Sequence, residues 1–174
     1  MQTYRKINMK LKVKRLDEKA KLPKKVHESD FGYDVVAISK KRVGWRTWEY
    51  RLGLTWAIER DIEVLGFDED SKDMFYLPKE QYSKVNLSID FRPRSSIYKT
   101  GLILCNCIGT IDELYRGEVK AYFYSVNPFG KKYKVGERIG QICLGITLPL
   151  EIEEVDELDK NTERGTGGFG STGK

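Results

Sequence analysis

The chain has 174 residues, 40% of them hydrophobic and 33% charged, which suits one domain around a single core and excludes a disordered chain. Its formal net charge of +5 comes from basic and acidic residues interspersed along the sequence, without the long Lys/Arg run of a nucleic-acid binder, so no nucleic-acid partner is expected. The single histidine, His27, argues against a Ser-His-Asp triad, a histidine-based zinc site and histidine acid–base chemistry.

Leu11-Lys-Val-Lys-Arg-Leu16 alternates apolar and basic residues, the period-two signature of a half-buried strand. A polar stretch containing Pro23 reads as a loop into Asp30-Phe-Gly-Tyr-Asp-Val-Val-Ala37, where Gly32 and Asp34 flank a tyrosine at the mouth of a strand. From 39 to 90 the pattern is short strands and turns, with strands expected over 50–57, 62–65, 74–77 and 85–91 and a solvated acidic turn over 68–73. The aromatic residues Trp45, Trp48, Tyr50 and Trp56 are read as packing groups. These features predict an all-β domain.

Phe91-Arg-Pro-Arg-Ser-Ser96 sets two arginines and two hydroxyls around a proline, ahead of a segment that can form one helical turn over 97–100 capped by Ser95 or Ser96. Free N–H groups at a helix start beside Arg94 make a phosphate site; an ordinary capped turn is the plain alternative. Residues 101–126 read as a β-hairpin: a strand, a tight turn near Gly109 and a second strand over 119–126. Asn106 stands within an apolar strand, Asp112 follows two residues expected to be buried, and Tyr115 offers a flat face. Polar groups so placed need partners, from the fold or from a ligand.

Gly136-Glu-Arg-Ile-Gly-Gln-Ile142 opens with a glycine turn and enters a strand over 139–146, with Gln141 among apolar neighbours. An acidic connector over 151–159 leads to the last eleven residues, Arg164-Gly-Thr-Gly-Gly-Phe-Gly-Ser-Thr-Gly-Lys174. Their glycines let backbone N–H groups turn inward as an anion nest, and Arg164, Ser171, Thr172 and Lys174 add donors for phosphate. Phe169, the lone apolar side chain of this tail, is suited to stacking on a planar base.

The amino terminus lacks the apolar core of a signal peptide, and no apolar run approaches the ~18 residues of a membrane span. A cytoplasmic protein without membrane contact is expected. Cys105, Cys107 and Cys143 form no paired framework and fit a reducing compartment. The alternation of Cys105 and Cys107 along an apolar run predicts buried thiols.

Taken in order, five of these stretches resemble the five motifs of the trimeric deoxyuridine triphosphatases, the dUTPases. Gly32-Tyr33-Asp34 is similar to the first motif, Pro93-Arg94-Ser95-Ser96 to the second, and Gly109-Thr-Ile-Asp-Glu-Leu-Tyr-Arg-Gly117 to the third. Gly136-Glu-Arg-Ile-Gly-Gln141 resembles the fourth, and residues 164–173 the fifth.

The resemblance implies a β-jelly-roll domain over 1–150 and a connector and glycine-rich lid over 151–174; the stretch within 39–90, between the first and second motifs, departs from compact family members as an extended insertion. It also implies a homotrimer with three shared sites that hydrolyses dUTP to dUMP and pyrophosphate with Mg²⁺. By the same resemblance Asp112 activates water for attack at the α-phosphorus, and Asp34 acts on Mg²⁺ through bound water. Arg94, Ser95, Ser96, Gln141, Arg164, Gly170, Ser171 and Thr172 hold the phosphates. Asn106, Gly109, Thr110 and Ile111 read uracil, Tyr115 lies against deoxyribose and Phe169 closes over the base.

Phe31 stands where the family has a small residue, Ser96-Ile97 where Gly-Leu is common, and Gly140 where alanine is usual; none of these removes a chemical group. The related dCTP deaminases would carry a glutamate in the strand after the third motif, where this chain has Tyr122. The alternative of another class is a dUTP-binding regulatory protein that touches a partner through 39–90, with the tryptophans as its sequence support.

Overall fold

The alternation at the start of the chain builds strand β1 (Ile7–Arg15) in a computed structural model that describes residues 7–62, 85–158 and 162. Leu11 and Val13 pack on the core while Lys12 and Lys14 stay in solvent. β1 pairs antiparallel along its whole length with β5 (Leu54–Ile62), Val13 opposite Trp56 and Leu11 opposite Ile58, as a two-stranded ribbon. The strand expected over 50–57 is divided. Leu52 and Gly53 separate β4 (Thr47–Arg51) from β5, and Gly53 turns the corner with φ +65°, a backbone state costly for any residue with a Cβ. The strand expected over 74–77 and the acidic turn over 68–73 lie outside the described residues, as does 62–65 beyond Ile62.

Two antiparallel four-stranded sheets form the body. One runs β2 (Tyr33–Val36), β10 (Arg138–Thr147), β6 (Asn86–Arg92), β8 (Gly109–Asp112); the other runs β3 (Ser39–Arg42), β4, β9 (Lys120–Ser125), β7 (Leu102–Leu104). Alternation selects the inner faces: Leu87, Ile89 and Phe91 of β6 and Ala121 and Phe123 of β9 are buried between them. Phe123 is the hub, meeting Tyr50, Tyr133 and Phe91 edge-on at centroid distances of 5.5, 5.7 and 6.3 Å. Each buried side chain of this size contributes about 1.5–3 kcal/mol. This is the all-β jelly-roll arrangement expected. No described helix is long and apolar enough to cross a membrane.

The stretch over 101–126 departs from a plain hairpin. β7 and β9 do pair, Leu104 opposite Phe123, but the chain between them crosses to the other sheet, where β8 pairs with β6. Leu102 and Leu104 complete the inner layer, so the run leaves the core after Leu104, and Cys107 reverses it with φ 57°. Asn106 therefore lies in a turn, and Cys105 and Cys107 are exposed; of the three thiols only Cys143 is buried. Thr110 is exposed and Ile111 only half-buried, because β8 is an edge strand.

The helical turn is a 3-10 helix, Ser95–Lys99, without a serine cap: Arg94 holds the cap position and its carbonyl accepts the Ile97 N–H at 2.9 Å. Tyr50 and Trp56 pack in the core as expected and Trp48 is half-buried. Trp45 does not pack; it is 84% exposed at the β3–β4 turn, with the Arg42 guanidinium 5.6 Å from its ring. After Thr147 residues 148–158 continue exposed, outside any strand.

Candidate functional site

Strand pairing collects one group of candidate residues at the β2 edge of the first sheet. Gln141 of β10 sits opposite both Asp34 of β2 and Arg92 of β6, and the loop after β6 delivers Arg94 and Ser95 beside them. Asp34, Arg94, Ser95 and Gln141 line a cleft of about 400 Å³ with Phe31, Gly32 and Arg138. Asp34 is clamped by two guanidinium groups: Arg94 Nε lies 3.1 Å from Oδ1 and Arg138 Nη1 lies 2.8 Å from Oδ2. Arg138 is a site residue that sequence reasoning missed; its signal was its place within the fourth motif. Asp30 shapes the loop instead, accepting the His27 and Val26 N–H groups at 2.8 and 3.2 Å. The His27 hydrogen bond is the main cause holding its carboxyl below the ordinary range. Phe31 is exposed, its ring 5.7 Å from the Arg92 guanidinium.

A second group gathers at the β8 edge around a cleft of about 570 Å³, lined by Asn106, Gly109, Thr110, Ile111, Asp112 and Tyr115, with Phe91 at its inner wall. The Asn106 amide lies against Gly109, where a Cβ would stand 3.3 Å from Nδ2. Asp112 is exposed at the end of β8, and its carbonyl accepts the Tyr115 N–H at 3.0 Å, forming the turn that folds Tyr115 back. The Tyr115 hydroxyl donates to the Glu118 carbonyl at 3.2 Å. Glu118 is itself anchored by Arg51 Nε at 2.8 Å and the Gly53 N–H at 3.0 Å. This cleft offers an amide that both donates and accepts, a flat ring and the Asp112 carboxylate, the second carboxylate of its lining, Glu118, being held by Arg51 and Gly53; this is chemistry for a planar neutral base beside a water-activating group.

Tyr122 also lines this cleft, and its hydroxyl donates to Glu49 at 2.6 Å. That bond, with Lys120 nearby, keeps the Glu49 carboxyl below the usual range. No glutamate stands at the position a deaminase would use.

The two groups occupy opposite edges of one sheet, β2 and β8, three strand spacings or about 14 Å apart. Asp34, Arg94, Ser95 and Gln141 come together; Asn106, Gly109 and Asp112 come together; within one chain the groups do not meet. Ser96 joins neither. Its side of the helical turn lines a third, basic cleft with Lys99, Lys131 and Lys132. Arg164, Phe169, Gly170, Ser171 and Thr172 lie outside the described residues. Among the described residues no three of His, Cys, Asp or Glu converge as a metal cage.

A family model described as dUTPase matches residues 66–173. The chain belongs to the dUTPase family. It is 34% identical over 164 residues to the deoxyuridine 5'-triphosphate nucleotidohydrolase of Clostridium acetobutylicum, covering 94% of this chain and 96% of that one. It is 36% identical over 166 residues to the protein of the same name from Clostridium kluyveri, covering 95% and 99%. Among solved structures it resembles a mutant dUTPase of Staphylococcus bacteriophage 80alpha with dUpNHpp, at TM-score 0.66 and 20% identity over 95% of this chain and 99% of that one. It also resembles a mutant dUTPase of phage phi11 of S. aureus, in which a structural Mg(II) ion is coordinated, at TM-score 0.58 and 16% identity over 86% and 99%. These last two likenesses carry the fold. The resemblance drawn from the five motifs thus holds along nearly the whole chain.

Proposed function

We propose that this dUTPase-family protein hydrolyses dUTP to dUMP and pyrophosphate, at sites completed between copies of a homotrimer. The observation that carries this is the division of the site between two sheet edges. One edge presents cations and a hydroxyl suited to phosphates, the other an amide, a flat ring and a carboxylate suited to a nucleoside and a water. Each edge is half a dUTP site, and a closed rotational assembly sets one copy's β2 edge against the next copy's β8 edge.

In the reaction, Asp112 accepts a proton from water as its oxygen attacks the α-phosphorus, and the bond from that phosphorus to the β-phosphate oxygen breaks. The departing pyrophosphate carries the electron pair, and Arg94, Ser95 and Gln141, joined by Arg164, Gly170, Ser171 and Thr172 of the tail, spread its charge. Asn106 and the backbone of Gly109, Thr110 and Ile111 read uracil, Tyr115 walls the deoxyribose, and Phe169 covers the base. Mg²⁺, when bound, shields the phosphate charges. A single carboxylate with both oxygens held by arginines suits Asp34 to a partner of that ion through its bound water rather than to direct ligation. Exposed free thiols at Cys105 and Cys107 fit a cytoplasmic, reducing setting.

The test is pyrophosphate release from dUTP, dCTP, dTTP and UTP. Turnover of dUTP far above the other three is expected; no turnover of dUTP would favour a dUTP-binding regulatory protein. That second reading keeps one observation, the exposed Trp45 of the extended segment.

A further inference from the structure

Beside the phosphate-facing cleft, and sharing Arg94 and Arg138 with it, lies the basic cleft of about 370 Å³, lined further by Ser96, Lys99, Lys131, Lys132, Tyr133 and Glu137. Besides the two arginines, which Asp34 offsets from the neighbouring cleft, three lysines face one carboxylate, and Glu137 is partly engaged by the Lys134 N–H at 2.8 Å. The Lys132 ammonium is fixed at the wall by the carbonyls of Asn127, Pro128 and Gly130 at 3.0, 3.2 and 2.6 Å, which orient its charge without neutralising it.

One further observation points to an anion. Tyr133 is 5% exposed, and its buried hydroxyl has no hydrogen-bond partner among the described residues. Such a group is usually satisfied in the working state of a protein.

We infer that this cleft binds inorganic pyrophosphate, as an exit site into which the leaving group passes from the shared Arg94 and Arg138. The inference rests on the dUTP hydrolysis proposed above. The cleft's lining supplies cations and the Ser96 hydroxyl but no exposed aromatic face, so it recognises a compact polyanion and not a nucleoside. Arg94 belongs to both clefts, its Nε on Asp34 while its charge also acts on Tyr133. The anion can therefore move across without leaving a positively charged surface.

The test is Lys99→Ala/Lys131→Ala, two exposed side chains outside the dUTP-binding residues. Each exposed charge contributes modestly, so the inhibition constant of added sodium pyrophosphate in the dUTP assay should rise about fivefold, with KM for dUTP within a factor of two. Lys99→Arg/Lys131→Arg should retain the parent inhibition constant. An unchanged inhibition constant in the alanine variant, or one that rises in step with KM, overturns the exit site. Calorimetric titration of pyrophosphate into parent and variant decides the cleft separately: absence of dUTP turnover sinks the hydrolysis reading, while equal pyrophosphate affinities sink the exit site.

Discussion

The ring of Tyr115 lies over the α-carbon of Gly117, where a Cβ would stand 3.0 Å from Cε2 and closer still to Cζ and the hydroxyl. The hydroxyl is held in place by the Glu118 carbonyl. Glycine at 117 thus sets the tilt of the proposed sugar wall, and Gly117→Ala must push the ring away. A wall of this kind rejects an added hydroxyl by ~1–3 kcal/mol. The ratio of kcat/KM for dUTP over UTP should therefore fall by up to about a hundredfold, with the unfolding midpoint little changed because residue 117 lies outside the core. An unchanged ratio would assign sugar selection to other residues.

Asp112 stands exposed at the tip of an edge strand, on the cleft that also holds Asn106. Asp112→Asn keeps the shape and removes the proton acceptor. Turnover should drop by ~10²-fold or more, the usual contribution of a general base, while affinity for a non-hydrolysable dUTP analogue stays near the parent value. Turnover within a few-fold of the parent excludes Asp112 as the base.

The strands that bury one face were legible. Leu11 and Val13, and Leu87, Ile89 and Phe91, carry an alternation that only a half-buried strand explains. β3 was not: Ser39-Lys-Lys-Arg42 has no apolar side chain and becomes a strand because β4 supplies the pairing, while its lysines suit an edge. The thiols were misplaced because the apolar run holding Cys105 and Cys107 spans two sheets and leaves the core between them. The site's chemistry was legible as residue types, since few other uses bring Arg-Ser, Gln and Asp to such stretches. Its geometry was not. Ser95 and Ser96 adjoin in sequence yet face different clefts, and Arg138 reaches Asp34 only through the pairing of β10 with β2.

Gly140, where the family usually has alanine, is a packing position here. A Cβ would meet Cε2 of the buried Phe91 at 2.7 Å and the Arg92 carbonyl oxygen at 2.8 Å. Gly140→Ala should destabilise the fold by ~1–3 kcal/mol through overpacking. Adding Phe91→Leu should recover part of that loss, since the smaller side chain opens the space. Urea melts of both single variants and the double variant give the coupling; additive losses would show that Phe91 is not what Gly140 accommodates.

The opposite-edge arrangement of Asp112 and Arg94 makes complementation between inactive chains the decisive measurement for a shared site. Asp112→Asn removes the proposed base from the β8 edge, and Arg94→Gln removes a phosphate contact from the β2 edge, so each variant alone should be nearly inactive. If each site takes one edge from each of two neighbouring copies, a 1:1 mixture reassembled at random leaves both edges intact at about a quarter of its sites. Mixed trimers, isolated through two different affinity tags and so freed of the inactive uniform ones, should then regain about a third of the parent turnover per chain, one intact site in three. The recovered sites combine unaltered residues throughout, so their KM for dUTP should equal the parent value. If instead one chain supplied both residues to its own site, no chain in the mixture would carry an intact pair. Activity would then stay at the level of the separate variants however thoroughly the copies exchanged.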